Sequence, residues 1–284
     1  MIQIDYRNDK KLRDSFNELA VKVFGLNFEN WYQNGFWQDN YIPYSVVIDG
    51  KVVSNISVNR CDVNYRGEVK RLIQLGTVMT DPDFRGKGYS RLLMEKILSD
   101  YEDKVDGIYL FANDSVVDFY PKFGFVKGRE TRFCKEVEVT SKNTAVQVPM
   151  SGKEDWDKMV CLFLEKDQNA AMYMVGNPGL YMFYLSQFMQ ENVFYISGCD
   201  TYVIAEADGD MLTLFAVIGN GDIDQVISSF GSKIKKVVLD FTPKDTSLYD
   251  KSEVHEEDTT LFVRGNFFEK TKEDEYMFQS ITHA

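Results

Sequence analysis

A glycine-rich loop separates two segments of different periodicity in the first half of the chain. Residues 72–79 predict a strand with apolar residues at 72, 73, 75, 78 and 79, whereas apolar positions in residues 92–101 repeat at helical spacing. The loop between them, Arg85–Ser90, has the sequence RGKGYS. A strand followed by such a loop and a helix leaves backbone N–H groups at the positive end of the helix dipole. The sequence therefore predicts a site for a phosphate group at Arg85–Ser90.

The segments around this loop predict one domain. Residues 44–58 contain two β-rich stretches around Asp-Gly, a strong hairpin signal, and a third strand follows the turn at 65–68. Residues 108–111 read as a buried strand, which should lie parallel to the strand before the loop because a helix connects the two. The remaining predicted elements are a helix at 8–24 closed by Gly25, a short helix at about 115–122 and a last strand near 131–139.

The second half of the chain repeats this order. A polar stretch at 141–151 marks the predicted linker, so the expected domains are residues 1–140 and 152–284. After helices near 153–166 and 178–191, a second Asp-Gly hairpin at 202–217 precedes a helix at 222–230 and a strand at 237–241. No basic residue occurs at 218–223, where the first half has its loop arginine and lysine. We therefore predict a degenerate copy, and the fold class is α/β (α+β): a mixed, mostly antiparallel sheet flanked by helices and duplicated.

Charge and composition limit the partners. Hydrophobic residues make up 44% of the 284 residues, which is enough to build folded cores. The net charge of -12 argues against binding to nucleic acid or to an anionic membrane, because both require a basic face. Residues 2–9 are polar and mixed, without the pattern of a secretion signal, so we expect a soluble, cytoplasmic protein. The four dispersed cysteines do not suggest a disulfide framework or a metal site.

Two common phosphate-binding loops do not fit the sequence. A P-loop needs Gly-Lys-Ser/Thr after a longer spacing, and the dinucleotide fingerprint needs a third glycine where this chain has Arg91. The loop instead resembles motif A of the Gcn5-related N-acetyltransferase (GNAT) superfamily, Q/R-x-x-G-x-G/A, with Arg85 and Gly88 matching and Ser90 in place of Gly or Ala. Residues 113–125, NDSVVDFYPKFGF, are similar to the family's second motif, N-x-x-A-x-x-F-Y-x-x-x-G-F.

The resemblance covers residues 1 to about 140 and implies the acyl-CoA N-acyltransferase fold, with acetyl-CoA as co-substrate and without a metal. It implies that the backbone of the strand before the loop pairs with the pantetheine arm, that the loop holds the pyrophosphate and that an asparagine meets the pantetheine. The implied cofactor-binding residues are Val78, Met79, Thr80, Arg85, Gly86, Lys87, Gly88, Tyr89, Ser90 and Asn113.

The resemblance also implies a catalytic residue, Tyr120, which matches the tyrosine that protonates the departing thiolate. The alternative for Tyr120 is a purely structural role as a half-buried aromatic beside Phe119. A backbone N–H near Val78 or Met79 would stabilise the oxyanion. The general base is missing: many relatives carry glutamate at the position of Gln74, and an amide cannot accept the proton.

Several alternatives follow from that gap. The base could be a water chain or a carboxylate such as Glu68 or Asp81, or the substrate could already be partly neutral. The expected reaction is acetyl transfer to a primary amine of a small cationic or peptide substrate, by direct attack in a ternary complex. The alternative function is a non-catalytic acyl-CoA-binding regulatory module. A third possibility is an enzyme that uses another acyl donor. The second domain would complete the acceptor pocket or form a homodimer.

Two groups of residues receive structural interpretations. His255 and His283 lie in polar C-terminal stretches without spaced partners and are predicted at the surface. The aromatic residues of segment 28–41 are predicted to fill the core, with a role in lining a pocket as the alternative.

Overall fold

The computed structural model describes residues 1–165, 167 and 169–284. The strands are β1 Ile2–Ile4, β2 Tyr41–Ile48, β3 Lys51–Arg60, β4 Val63–Tyr65, β5 Glu68–Lys70, β6 Leu72–Thr80, β7 Gly107–Ala112, β8 Val126–Lys127, β9 Thr131–Glu136, β10 Val146–Gln147, β11 Ala170–Met174, β12 Val193–Ile196, β13 Thr201–Asp208, β14 Met211–Gly219, β15 Lys236–Leu239, β16 Thr242–Pro243, β17 Asp250–Glu253 and β18 Thr260–Arg264. The helices are α1 Lys10–Phe24, α2 Glu29–Gln33, α3 Tyr89–Tyr101, α4 Lys153–Phe163, α5 Pro178–Gln187, α6 Ile223–Ser229 and α7 Asn266–Lys270.

Local sequence signals explain the first elements. The Asp9 side chain accepts hydrogen bonds from the amides of Lys11 and Leu12, and α1 ends at Gly25, which has a left-handed φ of 72°. The β2–β3 hairpin turns at Asp49 and Gly50, whose φ values of 49° and 77° are those that a tight two-residue turn requires. The predicted first helix and first hairpin are therefore confirmed.

The first sheet has the order β1-β2-β3-β6-β7-β18-β8. Neighbouring strands are antiparallel except β6 and β7, which are parallel across the helix α3, as the sequence predicts. Residues of α3, including Leu93 and Ile97, pack with Ile56 and Val58 on one face. The other face packs against α1, where Phe16 is fully buried.

The second sheet has the order β10-β12-β13-β14-β15-β9-β17. Its pairs have the same directions as the corresponding pairs of the first sheet, including one parallel pair, β14 with β15. The second half therefore repeats the strand order of the first, which confirms the predicted duplication of the fold.

The two halves exchange a strand. The last strand predicted for the first domain forms as β9, but it pairs with β15 and β17 in the second sheet, with Phe133 opposite Leu239. In return β18 lies between β7 and β8 of the first sheet, with Leu261 opposite Phe111. The expectation that residues 131–139 complete the first sheet is therefore wrong. The domain boundary at 141–151 stays a prediction. Strand pairs connect the two sides of it, because β9 pairs with β15 and β18 pairs with β7.

Further contacts join the halves. A small sheet, β16-β11-β4-β5, pairs Met172 of the second half with Tyr65 of the first. Trp31 donates its indole N–H to the Gly179 carbonyl at 2.7 Å, within a cluster of stacked and edge-on aromatic rings that also contains Trp37 and Phe183. The aromatic residues of segment 28–41 that join this cluster fill the core, as the sequence favours.

Residues 115–122 differ from the sequence prediction. In place of one short helix the chain forms two 3-10 turns, Asp114–Val116 and Tyr120–Phe123. Pro121 explains the difference, because it has no N–H to donate to the carbonyl four residues earlier. Among the described residues, no helix has both the length and the apolar character needed to cross a membrane.

Candidate active site

The strand β6 leaves its parallel neighbour halfway along its length. Its register with β7 covers Leu72 to Gln74, which lie opposite Gly107 to Tyr109. On its other edge β6 stays paired with β3 as far as Thr80. The edge of β6 from residue 75 onward therefore diverges from β7, and this edge includes Val78, Met79 and Thr80.

A β-bulge lies in this diverging edge. The register between β3 and β6 shifts between Asn55 and Ser57, and Thr77 has a left-handed φ of 47°. Partly buried hydrogen bonds hold the bulge: the Tyr41 hydroxyl lies 2.7 Å from Thr77 Oγ1, and Asn55 Nδ2 donates to the Thr77 carbonyl at 2.9 Å. The bulge redirects the backbone of Val78. The sequence pattern did not predict the bulge, although the polar residues Ser54, Asn55 and Ser57 in the middle of β3 were a usable signal.

The loop after β6 has the backbone of an anion site. Gly86 and Gly88 have φ values of 75° and 81°, and a Cβ added at either position would meet nothing within 4 Å. The helix α3 begins at Tyr89 without a side-chain cap, and the Leu92 amide donates to the Gly88 carbonyl at 3.0 Å. The amides of Tyr89 and Ser90 precede that first intrahelical bond and stand at the positive end of the helix dipole.

Hydroxyl groups connect the loop helix to the strand. Ser54 Oγ lies 2.8 Å from Thr80 Oγ1, which in turn lies 2.9 Å from Ser90 Oγ. The serine that departs from the family pattern therefore fixes the first turn of α3 to β6. The substitution at Ser90 is thus compatible with a short distance between strand and helix.

The loop carries two basic side chains. Arg85 and Lys87 are both exposed. Arg85 Nε is 3.4 Å from the Thr80 carbonyl, and Lys87 Nζ lies 4.3 Å from the centre of the Phe84 ring. Their positive charges and the helix dipole favour the same ligand, an anionic one.

Tyr120 lies in the hydrophobic cluster between the first sheet and α3. Its ring is 2% exposed and packs against Phe119, Phe125 and Phe262. Val78 packs against the same cluster. Burial raises the pKa of Tyr120 to about 12, so the phenol is protonated at neutral pH. This packing suits both interpretations of Tyr120, a proton donor and an aromatic core residue.

Asn113 follows β7 directly and is exposed. Its carbonyl accepts a hydrogen bond from the Val116 amide at 3.0 Å, and its side chain makes no capping bond within the described structure. The side chain is thus available at the end of β7 that diverges from β6.

The candidate carboxylate bases are engaged elsewhere. Glu68 pairs with Lys70 at 2.6 Å. Asp81 pairs with Lys22 at 2.8 Å, and this hydrogen bond lowers the pKa of Asp81. Both carboxylates therefore stay ionised beside a cation of their own.

Gln74 is fully buried and binds the C-terminal segment. Its Nε2 donates to the Tyr109 hydroxyl at 3.0 Å and to the Thr282 carbonyl at 2.8 Å, and its Oε1 accepts from the Ala284 amide. A Cβ placed on Gly76 would lie 2.4 Å from the carbonyl carbon of Ala284. The segment ending at Ala284 thus lies against β6 where the strands begin to separate, a position that sequence reasoning did not suggest.

His283 belongs to this segment, and its predicted surface position is wrong. Its ring stacks on Phe111 with centroids 3.5 Å apart, and burial lowers the pKa of the imidazole to about 3. The Tyr184 hydroxyl donates to its carbonyl at 2.7 Å. Long-range packing of the last residues, which local polarity does not show, explains the error. His255 is exposed, as predicted.

The fold and this geometry define a class: a mixed sheet with diverging parallel strands and a glycine-containing loop at the uncapped start of the connecting helix. Residues 8–128 match the family model described as an acetyltransferase (GNAT) domain. The N-terminal half of the chain is therefore a GNAT acetyltransferase domain.

Other proteins resemble this chain in part of the sequence or in fold. The chain is 43% identical over 51 residues to an uncharacterized N-acetyltransferase, ycf52, of Gracilaria tenuistipitata var. liui, and the match spans 17% of this chain and only 28% of that protein. A probable N-acyltransferase of Enterococcus faecalis V583 aligns with a TM-score of 0.64 at 14% identity, over 95% of this chain and 74% of that one. Eis1 of Mycobacterium abscessus aligns with a TM-score of 0.57 at 10% identity, over 92% and 73%. At these identities the two structures show a shared fold.

Proposed function

We propose that the N-terminal half transfers an acetyl group from acetyl-CoA to a primary amine of a small cationic or peptide substrate. The amine would attack directly, in a ternary complex. One observation carries the proposal: the strand that diverges from its parallel neighbour leads into a loop with two open, left-handed glycines and uncapped helix amides. The match to the acetyltransferase family model over this region supports it.

The loop fits a pyrophosphate. Among the described residues, no atom lies within 4 Å of a Cβ placed on Gly86 or Gly88, so phosphate oxygens can approach the backbone closely. Arg85 and Lys87 add two positive charges at the same place, in a chain that is acidic overall. The diverging edge of β6 from Val78 to Thr80 would pair with the pantetheine arm as an added strand does.

The chain's own groups account for most of the chemistry. A backbone N–H near Val78 or Met79, aimed by the Thr77 bulge, would stabilise charge on the carbonyl oxygen. When the amine has attacked the carbonyl carbon and the carbon–sulfur bond breaks, Tyr120 would donate its phenolic proton to the thiolate. Since Gln74 cannot accept a proton, the proton lost by the amine would pass to water.

A second candidate is a non-catalytic acyl-CoA-binding module. The bonding of Gln74 favours it, because both polar atoms of that amide are already used by Tyr109 and the C-terminal segment. Such a module would be stabilised by acetyl-CoA but would not release free thiol.

Measuring amine-dependent release of free thiol from acetyl-CoA tests the proposal. We expect turnover with at least one amine of a chemically varied panel, and Tyr120→Phe should lower kcat by about 100-fold, the typical contribution of a general acid. The affinity for acetyl-CoA should not change. Tyr101→Phe, in the same hydrophobic cluster, is the matched control and should behave as wild type. Stabilisation by acetyl-CoA without thiol release from any amine would favour the second candidate.

A further inference from the structure

Thr77, the bulge residue of β6, has a backbone conformation that its side chain disfavours. Its φ of 47° lies in the left-handed region, where a β-branched residue is strained. Six non-glycine residues have a positive φ in the described part of the chain, and the other five are aspartates and an arginine. Thr77 is therefore the β-branched exception among them. Such a conformation persists only where the surrounding contacts hold it.

A closed ring of hydrogen bonds holds Thr77 from two sides. Asn55 Nδ2 donates to the Thr77 carbonyl and to Ser57 Oγ, both at 2.9 Å. Ser57 Oγ donates to the Tyr41 hydroxyl at 2.9 Å, and that hydroxyl lies 2.7 Å from Thr77 Oγ1. Asn55 Oδ1 accepts from Ser45 Oγ at 2.8 Å, so both polar atoms of the amide are used. The ring therefore fixes the carbonyl and the side chain of the strained residue together.

This ring lies inside the sheet. Asn55 and Ser57 are fully buried, and Tyr41 is nearly so. Their neighbours on β3, Ile56 and Val58, are apolar and pack towards α3. Burying polar side chains costs desolvation free energy that apolar residues would avoid. Because every member of the ring is bonded, the network instead specifies one geometry at this point of the sheet.

The residue after Thr77 presents its amide to the diverging edge of β6. The Asp81 amide donates to the Val53 carbonyl of β3 at 2.9 Å. Because N–H directions alternate along a strand, the amides of Val78 and Thr80 point the other way, towards the side of β7. The described register of β6 with β7 ends at Gln74. The Val78 N–H therefore faces the gap that opens between the two strands.

We propose that Asn55 and Tyr41 are positioning residues for acetyl transfer: by holding Thr77 in its left-handed conformation, they direct the Val78 N–H at the carbonyl oxygen of the acetyl group. They act through Thr77 and do not touch the substrate. When the amine nitrogen bonds to the carbonyl carbon, an electron pair moves onto the oxygen, and the N–H stabilises this charge until the pair returns and the carbon–sulfur bond breaks. This inference rests on the proposed acetyl transfer and adds the residues that aim its oxyanion donor.

Two substitutions of Thr77 separate backbone conformation from side-chain chemistry. Glycine reaches a φ of 47° without strain, so Thr77→Gly should keep kcat within about threefold of the wild type although it removes the whole side chain. Valine keeps the β-branch but loses the bond to Tyr41, so Thr77→Val should lower kcat at least about tenfold. Tyr41→Phe removes the same bond from its other end and should resemble Thr77→Val. The KM for acetyl-CoA should change little in all three, because the donor acts on the transition state.

The order of the two Thr77 variants decides the outcome. A larger loss of kcat with glycine than with valine would show that the side chain itself acts, and would overturn the inference. Thr77 is partly exposed and both variants keep Asn55, so the pair does not depend on a substitution inside the buried ring.

A double variant tests whether Asn55 acts through Thr77. Asn55→Ala removes the bond to the Thr77 carbonyl and should lower kcat at least about tenfold, whereas Asn55→Ala, Thr77→Gly should recover to within about fivefold of the wild type. Asn169→Ala is the matched control, since Asn169 is buried and its Nδ2 donates to the Gly221 carbonyl at 3.0 Å in the second half. It should lower Tm and leave kcat unchanged. A double variant as slow as Asn55→Ala would mean that Asn55 has a structural role alone, and would overturn the inference.

The amide resonance of Val78 reports on the donor without turnover. In nitrogen-15 NMR spectra acetyl-CoA should shift this resonance in the wild type and in Thr77→Gly, and clearly less in Thr77→Val. Equal shifts in the three proteins would contradict the positioning role even if no amine were acetylated. A wild type that does not bind acetyl-CoA would instead refute the proposed function.

Discussion

The two strand–loop–helix units of this chain share a topology but differ at the start of the helix. In the first unit β6 leads to α3 through Gly88, which has a left-handed φ and no capping side chain. In the second unit β14 leads to α6 through Asp222, whose carboxylate accepts from the Gln225 amide at 2.8 Å. The Gln225 side chain accepts in return from the Asp222 amide at 3.1 Å. The N-terminus of α6 is therefore capped by a capping box.

If the first loop binds the pyrophosphate, as proposed, this difference explains why the second copy of the fold would not. A capping box uses amide donors that a phosphate would otherwise take, and the aspartate adds a negative charge at the same point. In the second unit the Gly221 amide also donates to Thr201 Oγ1 at 2.7 Å. Strand order is therefore retained in both units, whereas the helix start is uncapped in the first unit and capped in the second.

Placing an aspartate at Gly88, as the second unit has at Asp222, should have the largest effect on the affinity for acetyl-CoA. Gly88→Asp places a carboxylate beside the proposed pyrophosphate, and we expect the affinity for acetyl-CoA to fall at least 100-fold, about 2.7 kcal/mol, in calorimetric titration. Gly88→Asn imposes a similar backbone strain at a φ of 81° without the charge and should cost less. Equal losses in the two variants would show that strain, and not charge, governs the loop.

The pH dependence of stability tests how the residue before β9 is held to the C-terminal segment. Glu130, just before β9, accepts from the Phe278 amide at 2.8 Å, and burial raises the pKa of Glu130 to about 8, although Arg132 acts in the opposite direction. Because the folded pKa lies above the unfolded value, the contribution of Glu130 to stability is complete below about pH 4 and is lost as the pH rises towards 8. The free energy of unfolding should then fall by up to about 1.4 kcal/mol per pH unit from this group.

The variant Glu130→Gln isolates that contribution, because its amide oxygen can still accept from Phe278. Chemical denaturation at pH 5 and pH 7.5 should show a smaller loss of stability in the variant than in the wild type. Asp240, which accepts from the Ser280 amide at 2.7 Å and has its pKa raised by burial to about 7, should preserve part of the pH dependence. Identical pH profiles for variant and wild type would contradict the assignment to Glu130.

Removing the cap of the second unit should have the smallest effect. Asp222→Ala deletes the side chain that caps α6 and should lower the free energy of unfolding by about 1 kcal/mol. Acetyl-CoA affinity should stay within experimental error of the wild type, since the first unit is unchanged. A marked change in affinity would mean that the second unit contributes to the cofactor site.

The sequence predicted what depends on local signals. Gly25, Asp49 and Gly50 act within their own turns, and α1 and the first hairpin form as expected. The duplication was readable because the order of apolar periodicities repeats. The uncapped start of α3 at Gly88 also follows from neighbouring residues. The phosphate site at this loop stays a prediction that rests on the same glycines.

Features that depend on distant partners could not be predicted in the same way. The strand β9 has an ordinary strand pattern, and its sequence does not predict that it pairs with β15 and not with β7. His283 lies in a short polar stretch, yet Phe111 and Gln74 from the first half determine its position. The bulge at Thr77 depends on the hydroxyl of Tyr41 from another strand.

The most direct test of the central claim is calorimetric titration of acetyl-CoA into the wild type, the double variant Arg85→Glu, Lys87→Glu, and Asn220→Glu as the matched change in the second unit. We predict binding to the wild type, a loss of at least tenfold, about 1.4 kcal/mol, in the double variant, and no change for Asn220→Glu. If the wild type does not bind acetyl-CoA, or if the double variant binds as tightly as the wild type, the Arg85–Ser90 loop is not a cofactor site.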